Sequence, residues 1–169
     1  MTPQHTEAGI PRDQPDMSRH HPDTHPSATD VFARSLDLLL AKDIDGWVGL
    51  WAPDGVFEFP FALPGAPHRL VGREAVRDYM ADYPDHIDLR SFEDLTVHRT
   101  DDPATIVAEL RGTGRAVSTG RPFDMPYIQV VTVHDGRITR FRDYWNGALA
   151  ADAFDGGIPV GATRPGEAR

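Results

Sequence analysis

The chain contains no cysteine among its 169 residues, which excludes disulfides and thiolate chemistry and makes a reducing cytoplasm the expected compartment. It is also short of positive charge: 17 Lys and Arg stand against 26 Asp and Glu, a formal net charge of -9. A surface of that sign disfavours nucleic acid and anionic membranes, because both reward clustered cations. No apolar run is long enough to span a bilayer, and the first residues carry no apolar stretch of signal-peptide length. Metal-ligand spacing is missing as well. His5, His20, His21 and His25 sit in the first segment in no ligand pattern, and His68, His86, His98 and His134 are equally scattered. The expectation is a protein without metal or cofactor, and without a nucleic-acid or membrane partner.

What is present suits one domain with a substantial core, at 40% hydrophobic and 25% charged residues. Residues 1–28 hold five prolines and almost no large apolar side chain, so they predict a disordered leader. Residues 29–157 form the expected domain and 158–169 a loosely ordered tail. Val31, Phe32, Leu36, Leu39 and Leu40 recur at helical spacing, with Thr29 or Asp30 as the expected N-cap. A second short helix carries Trp47, Leu50 and Trp51, whose rings suit core packing, and Ala52-Pro53-Asp54-Gly55 reads as the turn that ends it. The next strand, residues 56–61, places Phe57, Phe59 and Phe61 on one parity, with Glu58 pointing the other way. After a loop holding His68 come a short strand at residues 70–72 and a helix from 73 to about 82 with Val76, Tyr79 and Met80 on one face. Alternating runs then fill 92–98, 104–117, 123–134 and 137–146, and the short loops between them predict antiparallel neighbours. Glu109 shares a parity with Val107, Arg111 and Arg115 and is expected to ion-pair across the outer face with Arg140 or Arg142. Gly112 and Gly114 mark a bend in that sheet.

The last run holds the chemistry. Thr139, Phe141, Asp143 and Trp145 share one parity, while Ile138, Arg140, Arg142 and Tyr144 share the other. Two arginines turn the second set outward, so the first set faces in and places a carboxylate between two aromatic rings. A carboxylate so placed is costly unless it is hydrogen-bonded, neutralised or used. Helices followed by a long antiparallel sheet make an α+β fold. A curved sheet closing over three helices leaves a conical cavity lined by Phe57, Phe59, Phe61, Phe141 and Trp145.

The order helix, helix, strand, helix, long curved sheet resembles the nuclear-transport-factor-2-like superfamily, with its ketosteroid isomerases and SnoaL-like polyketide cyclases. The residues that carry the likeness are Lys42-Asp43-Ile44-Asp45-Gly46-Trp47, then Trp51 to Pro60, then Val71-Gly72-Arg73-Glu74-Ala75-Val76, and lastly Asp135-Gly136-Arg137-Ile138 running to Tyr144-Trp145-Asn146. The ketosteroid isomerase resemblance implies a general-base aspartate where Phe59 stands, an oxyanion tyrosine near Ser35 and an oxyanion aspartate near Gln129. Phenylalanine cannot shuttle a proton, so that mechanism does not transfer. The phenazine-biosynthesis A/B type is the nearer resemblance, through Tyr83-Pro84-Asp85, Phe141 to Asn146, Ala153-Phe154 and Gly157-Ile158-Pro159-Val160. It implies a catalytic acid/base just before the aromatic-x-Asn step, at Asp143, where that family has the longer glutamate. Its second polar position, on the neighbouring strand, falls at Gln129.

The resulting expectation is a small cofactor-independent enzyme of secondary metabolism, working as a homodimer paired through the outer face of the sheet, as relatives pair. Asp143 is its acid/base and Gln129 donates an amide N–H to a developing oxyanion. Phe57, Phe59, Phe61, Tyr79, Phe141, Trp145 and His68 contact a small apolar or aromatic carbonyl substrate that is isomerised, cyclised or condensed. A non-catalytic binding protein or scaffold subunit with the same cavity is the alternative.

Overall fold

The structure is a computed structural model that describes residues 25–154, so residues 1–24 of the expected leader, the last three residues of the expected domain and the expected tail at 158–169 lie outside it. Helix α1, Ala28–Leu40, begins at Ser27 rather than at Thr29 or Asp30. The Ser27 hydroxyl accepts from the Asp30 backbone N–H while the Asp30 carboxylate accepts from the Ser27 N–H, a reciprocal capping box. Its apolar face buries Val31, Phe32, Leu36 and Leu38. Helix α2, Ile44–Gly49, is capped by Asp43, which accepts from the Gly46 N–H at 2.8 Å.

Strand β1 runs Trp51–Glu58 and departs from the expected helix-plus-turn. Trp51 already pairs with Ile138, and Pro53-Asp54-Gly55 is absorbed as an irregularity between Trp51 and Val56. Turn residues inside a strand mark a bulge when the flanking residues are held by burial, and Trp51 is fully buried. Strand β2, Arg69–Val71, and helices α3, Arg73–Met80, and α4, Tyr83–His86, follow. Four long strands complete the sheet: β3 Ile87–Arg99, β4 Thr105–Ala116, β5 Pro122–His134 and β6 Arg137–Trp145. A short helix α5, Gly147–Ala153, ends the described chain.

The six strands form one curved sheet in the order β2-β1-β6-β5-β4-β3. The α+β class stands, with two refinements. The sheet is mixed, because β1 lies parallel to β6 while every other pair is antiparallel, and its edges β2 and β3 do not close on each other. The helices pack on the concave side over an aromatic cluster. Trp47 and Trp51 have ring centroids 5.4 Å apart, Trp51 and Phe57 5.2 Å, and Phe57 and Phe141 5.3 Å. Both tryptophans are buried, so their role is core packing.

The outer face is polar and ion-paired, with one reassignment. Glu109 meets His98 at 2.8 Å instead of Arg140 or Arg142, because β3 and not β6 borders β4 on that side. Arg140 instead pairs with Glu58 at 2.8 Å. Gly112 and Gly114 lie opposite a stretch of β3 with shifted register, as a bend requires.

Candidate functional site

The β5–β6 hairpin sets the site. Its turn is Asp135-Gly136, both in the left-handed region at φ 50° and 70°, which matches the twist of a two-residue hairpin. Val133 then pairs with Ile138, but Thr132 pairs with Arg140, so Thr139 is an extra residue on β6. That bulge reverses the facing of β6 between Ile138 and Arg140. Ile138, expected to face outward, is therefore fully buried, and Thr139 is not part of the inward set. Beyond the bulge Phe141, Asp143 and Trp145 face in, opposite Val131, Gln129 and Tyr127 respectively. Had Thr139 paired regularly instead of bulging, the same count would set Gln129 against Arg142. One inserted residue places the acid beside the amide.

Gln129 is 8% exposed and donates its Nε2–H to Asp143 Oδ1 at 3.0 Å. One of the two amide N–H groups is thereby taken by the acid, and the other makes no hydrogen bond with the described residues. Its Oε1 is buried with no partner, and Asp143 Oδ2 accepts no hydrogen bond from the described residues. Burial pushes the Asp143 carboxyl up to about 7, and the Gln129 bond pulls the other way without matching it. Among the described residues no guanidinium, ammonium or imidazolium contributes to that balance. Three phenols feel the Asp143 charge: Tyr79 from α3, Tyr83 from α4 and Tyr127 from β5. Burial first holds all three well above the usual tyrosine range, helped by Asp143 and Asp82 at Tyr79 and by Asp143 and neighbouring phenols at Tyr83 and Tyr127, so they remain hydroxyls at neutral pH.

The other predicted residues divide. Phe57, Phe59 and Phe141 are buried and form the floor, and Tyr79 lies over Phe59 at 5.1 Å between ring centroids. Trp145 and Tyr127 pack against that core while keeping accessible surface. Phe61 does not join them. Strand β1 ends at Glu58, so the alternation that would turn Phe61 inward stops, and its ring is 64% exposed, edge-on to outward Tyr144 at 5.4 Å. His68 accepts the Phe59 N–H on its backbone at 2.9 Å, which extends the β1–β2 ladder and sets it across from Phe59.

Sequence reasoning missed Tyr83 and Tyr127. Tyr127 had a signal, since it lies two residues before Gln129 on the same parity. Tyr83 had none, because it depends on how α4 folds back over the sheet. Gly112 makes room for Tyr127: a Cβ there would stand 3.1 Å from the ring's Cε2. A separate rim hollow of about 350 Å³, between the start of β5 and α5, is lined by Phe123, Met125 and Leu149 and includes none of these site residues. Among the described residues no three His, Cys, Asp or Glu are grouped to hold a metal.

The family model for the SnoaL-like domain matches residues 32–141. The uncharacterized protein YesE of Bacillus subtilis is 42% identical over 76% of this chain and 88% of its own length. An uncharacterized PhzA/B-like protein of Pseudomonas aeruginosa is 37% identical over 80% of this chain and 95% of its own. A solved structure named "Putative Isomerase from Bacillus subtilis" is 41% identical, with a TM-score of 0.75, covering 78% of this chain and 94% of that one. A "putative polyketide cyclase" from Pseudomonas putida, 18% identical, shares the fold at a TM-score of 0.66 over 76% of this chain and 98% of its own.

Proposed function

Because the chain belongs to the SnoaL-like domain family of nuclear-transport-factor-2-like folds, we propose that it is a small cofactor-independent enzyme using Asp143 for proton transfer on an apolar, carbonyl-bearing substrate. The reaction class is isomerisation, cyclisation or condensation. The observation that carries this reading is an inward carboxylate pushed up to about 7 with no cation to quench it. A group titrating there is half-ionised at neutral pH, where an acid/base is most effective.

Oδ1 is held by Gln129, so Oδ2 takes the proton from a carbon next to the substrate carbonyl and returns it at a second position. Gln129 is a positioning residue. The hydroxyls of Tyr79, Tyr83 and Tyr127, fixed as neutral donors, polarise the carbonyl oxygen as negative charge develops on it. Phe59, Tyr79 and Trp145 hold the apolar body of the substrate. One positioned acid/base contributes about 10²–10⁴-fold, enough for an activated ketone. The similarity to the PhzA/B-like protein favours a ring-forming or condensing substrate.

The test is exchange of α-protons for deuterium across a panel of cyclic ketones, followed by NMR. Exchange above the buffer rate, lowered about 10²-fold or more in Asp143→Asn, supports the reading. A panel with no exchange, or exchange unchanged in that variant, sinks it. The protein is further proposed to act as a cytoplasmic homodimer. In support, Ile128 at 48% exposed and Phe61 lie on the outward side with Tyr144, and no helix among the described residues is long and apolar enough to cross a membrane. Sedimentation of the full chain checks the dimer.

A further inference from the structure

We propose that the ring-lined surroundings of Asp143 recognise an organic cation: a protonated or quaternary amine on an apolar body, seated between the Asp143 carboxylate and the rings of Tyr79, Tyr83, Tyr127 and Trp145. This deepens the reading above by naming the charge class of the ligand at the same site, and it does not require turnover.

Several acids elsewhere on the sheet find cations in the protein itself. Glu58 has Arg140 and Arg69, Asp88 has Lys42 and Arg90, and Arg111 holds Asp94 and Asp124. Asp143 has none among the described residues, and Gln129 is the only one of them that donates to it. The Gln129–Asp143 pair therefore presents two acceptors without a donor, Oδ2 and the buried Oε1. The charged and titratable groups that face Asp143 are Tyr79 from α3, Tyr83 from α4 and Tyr127 from β5, with Asp82 beyond Tyr79. All are neutral or negative. A carboxylate or phosphate ligand would meet repulsion there, whereas a cation gains from the acid and from each ring face it covers. Asp143, Tyr79, Tyr127 and Trp145 all keep accessible surface, so a ligand can reach them. A neutral ketone would use the hydroxyls yet leave the acid uncompensated.

The experiment titrates the full chain with benzyltrimethylammonium, its neutral carbon analogue neopentylbenzene, and phenylacetate, following tryptophan fluorescence at pH 5 and pH 8. At pH 8 the cation should bind about tenfold tighter than neopentylbenzene, with phenylacetate the weakest. At pH 5, and in Asp143→Asn at either pH, that preference should disappear. A preference below about threefold at pH 8, one that persists at pH 5, or tighter binding of phenylacetate overturns the proposal. If the variant does not fold, the wild-type pH series decides alone. Deuterium exchange without cation preference would leave the acid/base reading standing and remove this one, and the reverse result would do the opposite.

Discussion

Glu58 and Asp143 stand one position apart in the register that joins β1 to β6, yet they face opposite sides of the sheet. Glu58 is only 18% exposed at its side chain and lies against two arginines, Arg140 at 2.8 Å and Arg69 at 3.5 Å. Asp143 has an amide, three phenols and an indole around it and, among the described residues, no cation. Both are carboxylates withdrawn from water. The difference lies in what compensates the charge: arginine stabilises the ionised form and makes Glu58 structural, while its absence leaves the Asp143 proton free to come and go near neutrality. The chemistry of a buried acid is set by its neighbours more than by its depth.

The largest expected disruption comes from inserting one residue after Thr139. With the single-residue bulge kept, Gln129 would then face Arg142, and the inward and outward sets of β6 would exchange. Burying arginines in place of Phe141 should cost more than about 4 kcal/mol, and chemical denaturation should show it. Next comes Gln129→Lys, which gives the inner acid the kind of partner Glu58 has. The inflection at about 7 should leave the pH 5–9 window, as a ¹³C titration of the Asp143 carboxyl would show.

Asp143→Asn separates stability from activity. Folded Asp143 holds its proton up to about 7, against an ordinary carboxylate value of 3.8, so folding takes up a proton between these limits and stability falls as pH rises through them. The variant lacks that loss. It should match the parent at pH 3 and exceed it at pH 8 by up to about 4 kcal/mol, read from urea melts at each pH. Gly112→Ala presses a methyl on the Tyr127 ring and should cost about 1 kcal/mol while shifting the Asp143 titration, so calorimetry and NMR together test whether that wall tunes the acid. The smallest effect belongs to Glu58→Gln. Its arginine partners are more than half exposed, so the loss should be about 0–1 kcal/mol, reduced by salt, and the inner titration should not move.

Asp143 was legible because it sits in an unbroken alternation whose other parity carries arginines, and Trp47 was legible as core because its spacing matches a helix face. Ile138 was misassigned because a bulge adds a residue without any local marker beyond an ordinary threonine. Trp51 was read as helical because Pro53-Asp54-Gly55 has the composition of a turn, and only pairing with β6 holds it as strand. Phe61 followed the alternation of Phe57 and Phe59 on paper, but β1 ends at Glu58.

By itself, then, the sequence determined most of the helices and strands, the α+β class and the acid that faces inward, since periodicity and parity are properties of neighbouring residues in the chain. Tertiary structure alone decided that Gln129 meets Asp143, that Tyr79, Tyr83 and Tyr127 gather around it from three elements, and that no described arginine pairs with it. Those contacts join residues far apart in sequence. They exist only once burial of the aromatic floor has fixed the curvature of the sheet and the register of its strands.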